Sequence, residues 1–226
     1  MVVTGDHPDW GPTASVRPVR DLQTMGGVIR EDATGALRYI REAEDSIASD
    51  SFETAFLITD DGDQILKKVG TANSVGFTDA DILAIENAPS PVTLAHNHPS
   101  GSSFSMEDLS MGVTTNNLDT IRATTVDRTF QFKIKVHGTE LDDDLIDFFE
   151  EQGKSIHKTL RGQVQQHIIT PDQAQLLHTH IQWRRTADQF PQYFDYEVFG
   201  AALPDSLREY RQDRAQWISK LFVEEK

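Results

Sequence analysis

Residues 91–110 read PVTLAHNHPSGSSFSMEDLS and join a strand, a turn and the start of a helix. The run PVTLAH predicts a buried strand, and Pro-Ser-Gly predicts a turn. Ser105, followed three residues later by a carboxylate, is typical of a helix N-terminus, and we expect this helix to cover residues 105–120. A strand that passes through one turn into a helix is a building unit of α/β folds.

His96 and His98 lie at the end of the predicted strand. Side chains two residues apart on an extended chain point the same way, so the two imidazoles can converge on one metal ion. Two ordinary turn histidines are an equally good interpretation of the spacing alone. A third ligand would decide between them.

Asp108 is the candidate third ligand, because a carboxylate in the first turn of the next helix faces back toward the loop that carries His98. Two imidazoles and one carboxylate with an open fourth position describe a catalytic zinc site. Asp108 could instead only close a capping box with Ser105, which needs no metal. Ser105 could serve both arrangements.

The elements upstream and downstream complete an α/β pattern. A helix is predicted over residues 34–48, then a hairpin with strands at 55–58 and 64–69, then a helix capped by Thr78. Two further strands are expected within residues 121–138, with a turn near Asp127 and Arg128. We therefore predict a curved mixed β-sheet flanked by helices.

The remainder of the chain differs in character. Residues 1–33 show no sustained period and are expected to form an N-terminal arm, with the main domain at 34–140. Residues 141–226 predict a helical C-terminal extension of three helices, the second starting at Thr170 and Pro171 and the last running over 204–222. This extension is expected either to be a packing appendage or to bind a partner or a second copy of the chain.

The composition limits which residues can bind a metal and which partners the chain is expected to have. The 226 residues contain no cysteine, so any metal must be held by His, Asp or Glu. A formal charge of −15 disfavours nucleic acid as a partner. The chain contains no apolar run of membrane-spanning length and does not begin like a signal peptide, and we expect a soluble, cytoplasmic protein.

A second histidine pair, His178 and His180, lies in a predicted helix. Helical spacing turns residues two apart to different sides, by roughly 200°. We expect these two to be solvated or capping histidines and not metal ligands.

The motif HNHPSG followed by Ser-x-x-Asp resembles the JAB/MPN (JAMM) zinc metalloprotease family, most closely its prokaryotic RadC-like branch. The resemblance covers roughly residues 36–138. It implies a JAB/MPN-like, cytidine-deaminase-like fold, and it matches Glu53 in SFETAFLITDDGD to the family's upstream glutamate. Without the motif, Glu53 would be taken for an exposed acidic residue at a helix–strand junction. The loop before Ser105 is one residue shorter than is usual in the family, which leaves Glu107 as a rival to Asp108.

The resemblance implies a metallopeptidase or isopeptidase that hydrolyses a peptide bond or a ubiquitin-like conjugate with a metal-activated water. Zn²⁺ would be held by His96, His98 and Asp108, with Glu53 as general base and Ser105 as donor to the oxyanion. The expected partner is a protein or peptide substrate. The alternatives are a RadC-like protein associated with DNA repair or phage, and a non-catalytic scaffold that only binds partners.

Overall fold

The structure, a computed structural model, describes residues 35–126 and 128–200. These residues form five helices and six strands: α1 (Ala36–Ile47), β1 (Thr54–Thr59), β2 (Gln64–Val69), α2 (Asp79–Glu86), β3 (Val92–Asn97), α3 (Met106–Thr114), β4 (Leu118–Thr124), β5 (Arg128–Ile134), α4 (Asp143–Gln165), α5 (Pro171–Gln189) and β6 (Phe194–Gly200). No helix in this part of the chain is both long and apolar enough to cross a membrane.

The six strands form one sheet in the order β2-β1-β3-β4-β5-β6. β3 and β4 run parallel, and the other neighbouring pairs are antiparallel. The prediction of an α/β fold with a mixed sheet flanked by helices is therefore confirmed. β3 lies between β1 and β4, and all of its residues are buried.

The sheet separates two apolar layers, because successive side chains of a strand point to opposite faces. Leu94 of β3 belongs to the larger core, together with Phe104, Phe132 and Trp183. Its neighbour Ala95 belongs to a smaller core beneath α1. His96, one residue further on, therefore lies on the face of the larger core.

The helix expected over residues 105–120 is shorter than predicted. α3 ends at Thr114, and Leu118 already begins β4. Asn117 takes a positive φ of 68°, and its side-chain amide donates to the carbonyls of Ile85 and Ala88. This amide holds the chain in a turn between α3 and β4. The helical pattern of the sequence did not indicate that turn.

The turn between β4 and β5 agrees with the prediction: the backbone N–H of Thr125 donates to the carbonyl of Arg128 across it. Asp127 itself lies outside the described residues. The C-terminal part of the chain starts with α4 and α5 as predicted; Thr170 and Gln173 form the expected capping box, with Pro171 in the first turn of α5.

The expectation that residues after 140 form only helices is wrong in one respect. The segment FDYEVFG (194–200) forms β6, which pairs antiparallel with β5 at the edge of the main sheet. Phe194 and Tyr196 point into the larger core, beside Trp183 of α5. Burial of alternate aromatic residues stabilises this strand. The predicted arm at 1–33 and the predicted helix at 204–222 lie outside the described residues.

Candidate metal centre

The two histidines at the end of β3 converge. The Nε2 atoms of His96 and His98 are 2.9 Å apart, and the ring centroids are separated by 4.7 Å. His96 is the last but one residue of the buried strand and is 1% exposed, whereas His98 lies just past its end. The extended backbone thus places both ring nitrogens at one point, as the spacing predicted.

The His98 ring is oriented by the loop that follows it. Its Nδ1 lies 2.7 Å from the carbonyl oxygen of Ser103. Because a carbonyl can only accept, Nδ1 carries the proton and Nε2 of the neutral ring keeps its lone pair. The loop therefore holds His98 in the tautomer that can bind a metal through Nε2.

Asp108 closes the capping box and also faces the histidines. Its Oδ2 accepts hydrogen bonds from the Ser105 backbone N–H at 2.7 Å and from the Ser105 hydroxyl at 2.8 Å. Its Oδ1 is 3.4 Å from Nε2 of His96, and Oδ2 is 3.8 Å from Nε2 of His98. The two interpretations of Asp108 are thus compatible, because the carboxylate that caps the helix also lies beside both histidines.

The short loop before Ser105 does not disturb this register. Gly101 takes a positive φ of 75°, and its N–H donates to the carbonyl of His98 in a tight turn. Phe104 is buried and stacks on Phe132 with ring centroids 3.9 Å apart, which anchors the loop immediately before α3. Glu107, the rival to Asp108, is exposed.

Glu53 lies beside the histidines and is not the exposed junction residue that it would be without the motif. It is 7% exposed. One ligand atom from each of Glu53, His96 and His98 lies within 4.8 Å of the others, and this buried group could hold a metal ion. Burial raises the pKa of Glu53 to about 7, with Asp108 adding to the rise and His98 opposing it.

The segment after β2 holds Glu53 in place. The Glu53 N–H donates to the Thr71 carbonyl at 2.7 Å, and the Glu53 carbonyl accepts from the Gly70 N–H at 2.8 Å. The backbone of Val75 donates to the Glu53 carboxylate. A Cβ at Gly70 would lie 2.0 Å from the carbonyl oxygen of Ser74, so only glycine lets this segment fold back closely enough.

Asn97 is a site residue that the sequence analysis missed. Its side chain is fully buried; Oδ1 accepts from the backbone N–H of Thr54 at 2.6 Å, and Nδ2 donates to the carbonyl of Phe52 at 3.1 Å. The residue between the two histidines therefore fixes the backbone on both sides of Glu53. Its position inside the HNH motif is the only sequence signal for this role, and it does not reveal the partner.

The surroundings favour a neutral His96 imidazole and an ionised Asp108. Burial lowers the pKa of His96 to about 4, although Asp108 opposes this shift. Burial would raise the pKa of Asp108, but His96, His98 and the Ser105 hydrogen bonds outweigh it and hold that pKa below its usual range. Near neutral pH these are the protonation states in which imidazole and carboxylate bind metals.

The spacing of the donor atoms fits a small tetrahedral cation. Bonds of about 2.0–2.1 Å at tetrahedral angles place ligand atoms roughly 3.3 Å apart. The Nε2 atoms of His96 and His98 are 2.9 Å apart, Oδ1 of Asp108 is 3.4 Å from the first, and Oδ2 of Asp108 is 3.8 Å from the second. The two nitrogens are thus close to this spacing, whereas the two oxygens of Asp108 face different histidines, so the carboxylate must shift to bring one oxygen to an ion held by both rings.

The second histidine pair does not converge with this site, but neither ring is simply solvated or capping. Nε2 of His178 lies 3.0 Å from the carbonyl of Gly153 in α4. His180 is 5% exposed, and its Nδ1 lies 3.1 Å from the hydroxyl of Tyr196. The expectation of exposed or capping histidines is wrong for His180, because α5 packs against β6 and buries it.

Comparison with known proteins gives no independent assignment: the chain matches no protein-family model, no curated protein and no solved structure at a significant level.

Proposed function

We propose that this chain is a zinc-dependent metallopeptidase or isopeptidase with a JAB/MPN-like fold. The observation that supports it best is the convergence of the His96 and His98 Nε2 atoms with the Asp108 carboxylate beside the buried carboxyl of Glu53. Two imidazoles, one carboxylate and a neighbouring general base form a set typical of hydrolytic zinc enzymes. The motif HNHPSG with Ser-x-x-Asp supports the same family.

Asp108 suits the role of third ligand better than Glu53 does. The pKa of Asp108 is held below its usual range by the histidines and Ser105, so this carboxyl is ionised near neutral pH. The pKa of Glu53 is raised to about 7 by burial, so this carboxyl exchanges a proton readily at the same pH. A ligand must stay deprotonated, whereas a general base works best with a pKa near the working pH.

Zinc held by His96, His98 and Asp108 would supply a Lewis acid for the scissile carbonyl and would lower the pKa of water. Glu53 accepts a proton from the attacking water and passes it to the leaving amine. The Val75 backbone and the buried surroundings hold the Glu53 carboxyl on the same side as the histidines. Hydrolysis of an amide then needs no further acid.

Ser105 is proposed as the donor to the oxyanion. In this structure its hydroxyl donates to Asp108. The backbone N–H of Ser105 bonds the same carboxylate oxygen, so rotation of the hydroxyl toward substrate would leave Asp108 with one donor. The substrate we propose is a peptide or a protein conjugated to a ubiquitin-like modifier. A role in DNA repair is less well supported, because a chain with a formal charge of −15 repels a phosphate backbone.

The proposal is tested by assaying zinc-loaded protein against a fluorogenic peptide amide and a lysine-linked modifier conjugate. Glu53→Gln should lower turnover by ~10²- to 10⁴-fold while keeping the metal, since only the base is removed. The matched control is Glu107→Gln, which changes an exposed carboxylate next to Asp108 and should leave turnover unchanged. Zinc-loaded wild type that cleaves neither class of substrate would favour the scaffold alternative, in which the chain only binds partners.

A further inference from the structure

A buried polar network connects the C-terminal elements to the loop of the metal centre. The hydroxyl of Tyr196, in β6, lies 3.1 Å from Nδ1 of His180 and 3.3 Å from the hydroxyl of Ser103. Tyr196 is 3% exposed, His180 is 5% and Ser103 is 1%. Three polar side chains thus meet inside a core that is otherwise aromatic and aliphatic.

Ser103 leads directly to a proposed metal ligand, because its carbonyl is the acceptor that fixes the tautomer of His98. Phe104, the next residue, is also held by a C-terminal element. The indole N–H of Trp183, in α5, donates to the carbonyl of Phe104 at 2.8 Å. Two consecutive loop residues between His98 and Ser105 are therefore tied to α5 and β6.

Packing does not account for the Tyr196 hydroxyl. Its ring contacts Phe104 and Phe132 at centroid distances of 6.5 and 5.8 Å, contacts that a phenylalanine ring would make equally well. A hydroxyl and an imidazole cost free energy to bury and are retained only where they are hydrogen-bonded. Here the hydroxyl bonds the one loop whose position decides where the His98 ring points.

We propose that Tyr196, supported by His180, is a positioning residue for the metal centre, and that it acts through Ser103 on His98. The inference rests on the metal site of the proposed function and adds that residues outside the motif-bearing segment 36–138 complete it. Groups that orient a metal-binding histidine through its second nitrogen typically change metal affinity ~10- to 100-fold when they are removed.

The experiment uses the full chain, freed of metal and titrated with Co²⁺, whose visible absorption reports the geometry of its ligands. Tyr196→Phe removes the hydroxyl and keeps the ring. Tyr193→Phe is the matched control, since it makes the same change three residues earlier on a partly buried side chain. We expect Tyr196→Phe to weaken Co²⁺ binding ~10-fold or more and to alter the absorption band, and Tyr193→Phe to match wild type.

If Tyr196 only stabilises the fold, Tyr196→Phe would lower the melting temperature but leave the Co²⁺ affinity and spectrum as in wild type. That result would overturn the inference. Ser103→Ala supplies a second variant that keeps the carbonyl. Its effect on affinity should not add to that of Tyr196→Phe, because both break one interaction. Wild type that fails to bind Co²⁺ at all would instead contradict the metal site itself, and with it the proposed function.

Discussion

The side chain of Asn97 accepts a hydrogen bond from the backbone N–H of Thr54 at 2.6 Å and so joins the strand that carries the histidines to the strand that follows Glu53. β1 and β3 are neighbours in the sheet, and Ala55 pairs with His96. Glu53, the proposed base, and the histidines are thus held in one frame by a backbone ladder and one buried amide.

Asn97→Ala should separate metal binding from turnover. It leaves the Thr54 N–H buried without its acceptor, which costs about 1–3 kcal/mol of folding free energy. Zinc content should stay near wild type, whereas turnover should fall at least ~10-fold because Glu53 loses its fixed position. Chemical denaturation, metal analysis and the amide assay on one preparation check this. Equal losses of metal and turnover would mean that Asn97 supports the ligands and not the base.

Gly70→Ala should displace the segment that holds Glu53. The new Cβ would meet backbone atoms of Ser74 and Val75 at 2.0 and 2.7 Å, so the segment must move away and Val75 loses its bond to the carboxyl. We expect a loss of about 1–3 kcal/mol in stability and a clear drop in turnover. Gly76→Ala is the control, because a Cβ there has no neighbour within 4 Å. If Gly70→Ala and Gly76→Ala had equal stability and turnover, the close approach of Gly70 to Ser74 would not matter for the position of Glu53.

The buried carboxyl of Glu53 should make the stability of the metal-free protein depend on pH. Its pKa is raised from 4.5 to about 7 when folded, so the folded state binds the proton more tightly than the unfolded state. The stabilising contribution is complete below pH 4.5 and is lost as pH rises through about 7. Glu53→Gln removes this contribution.

The free energy of unfolding of wild type, minus that of Glu53→Gln, should accordingly fall between pH 4.5 and pH 7. The fall is at most about 3 kcal/mol and is reduced by solvent screening. The low pKa of His96 acts in the opposite direction but equally on both proteins, so it cancels in the difference. Urea titrations of both proteins across this pH range, with a chelator present, measure the difference in unfolding free energy. A difference that does not vary with pH would contradict the raised pKa of Glu53.

Local patterns in the sequence predicted the parts of the site that depend on local geometry. His96 and His98 converge because strand spacing puts residues two apart on the same face, and Ser105 with Asp108 forms a capping box because that spacing closes one helical turn. Asn97 and Tyr196 were not predicted. Their partners, Thr54 and Ser103, lie 43 and 93 residues away in the chain, and no local period encodes such contacts.

In the fold, too, the elements set by local sequence were predicted, and the strand that depends on tertiary contacts was not. The hairpin of β1 and β2 and the helix starts at Thr78 and Thr170 follow from turn and capping residues, and the structure has them where they were predicted. β6 was missed because its seven residues are stabilised by pairing with β5 and by burial of Phe194 and Tyr196. These are tertiary contacts, and a short segment after a long helix gives little sign of them.

We propose Asp108 as the third ligand and Glu53 as the base, although both carboxyls lie beside His96 and His98. The most direct test is the zinc content of purified wild type, Asp108→Asn and Glu53→Gln, measured by elemental analysis after dialysis. We predict one zinc per chain in wild type and in Glu53→Gln, and almost none in Asp108→Asn. Zinc that is retained in Asp108→Asn but lost in Glu53→Gln would contradict the account, because Glu53 would then be the ligand.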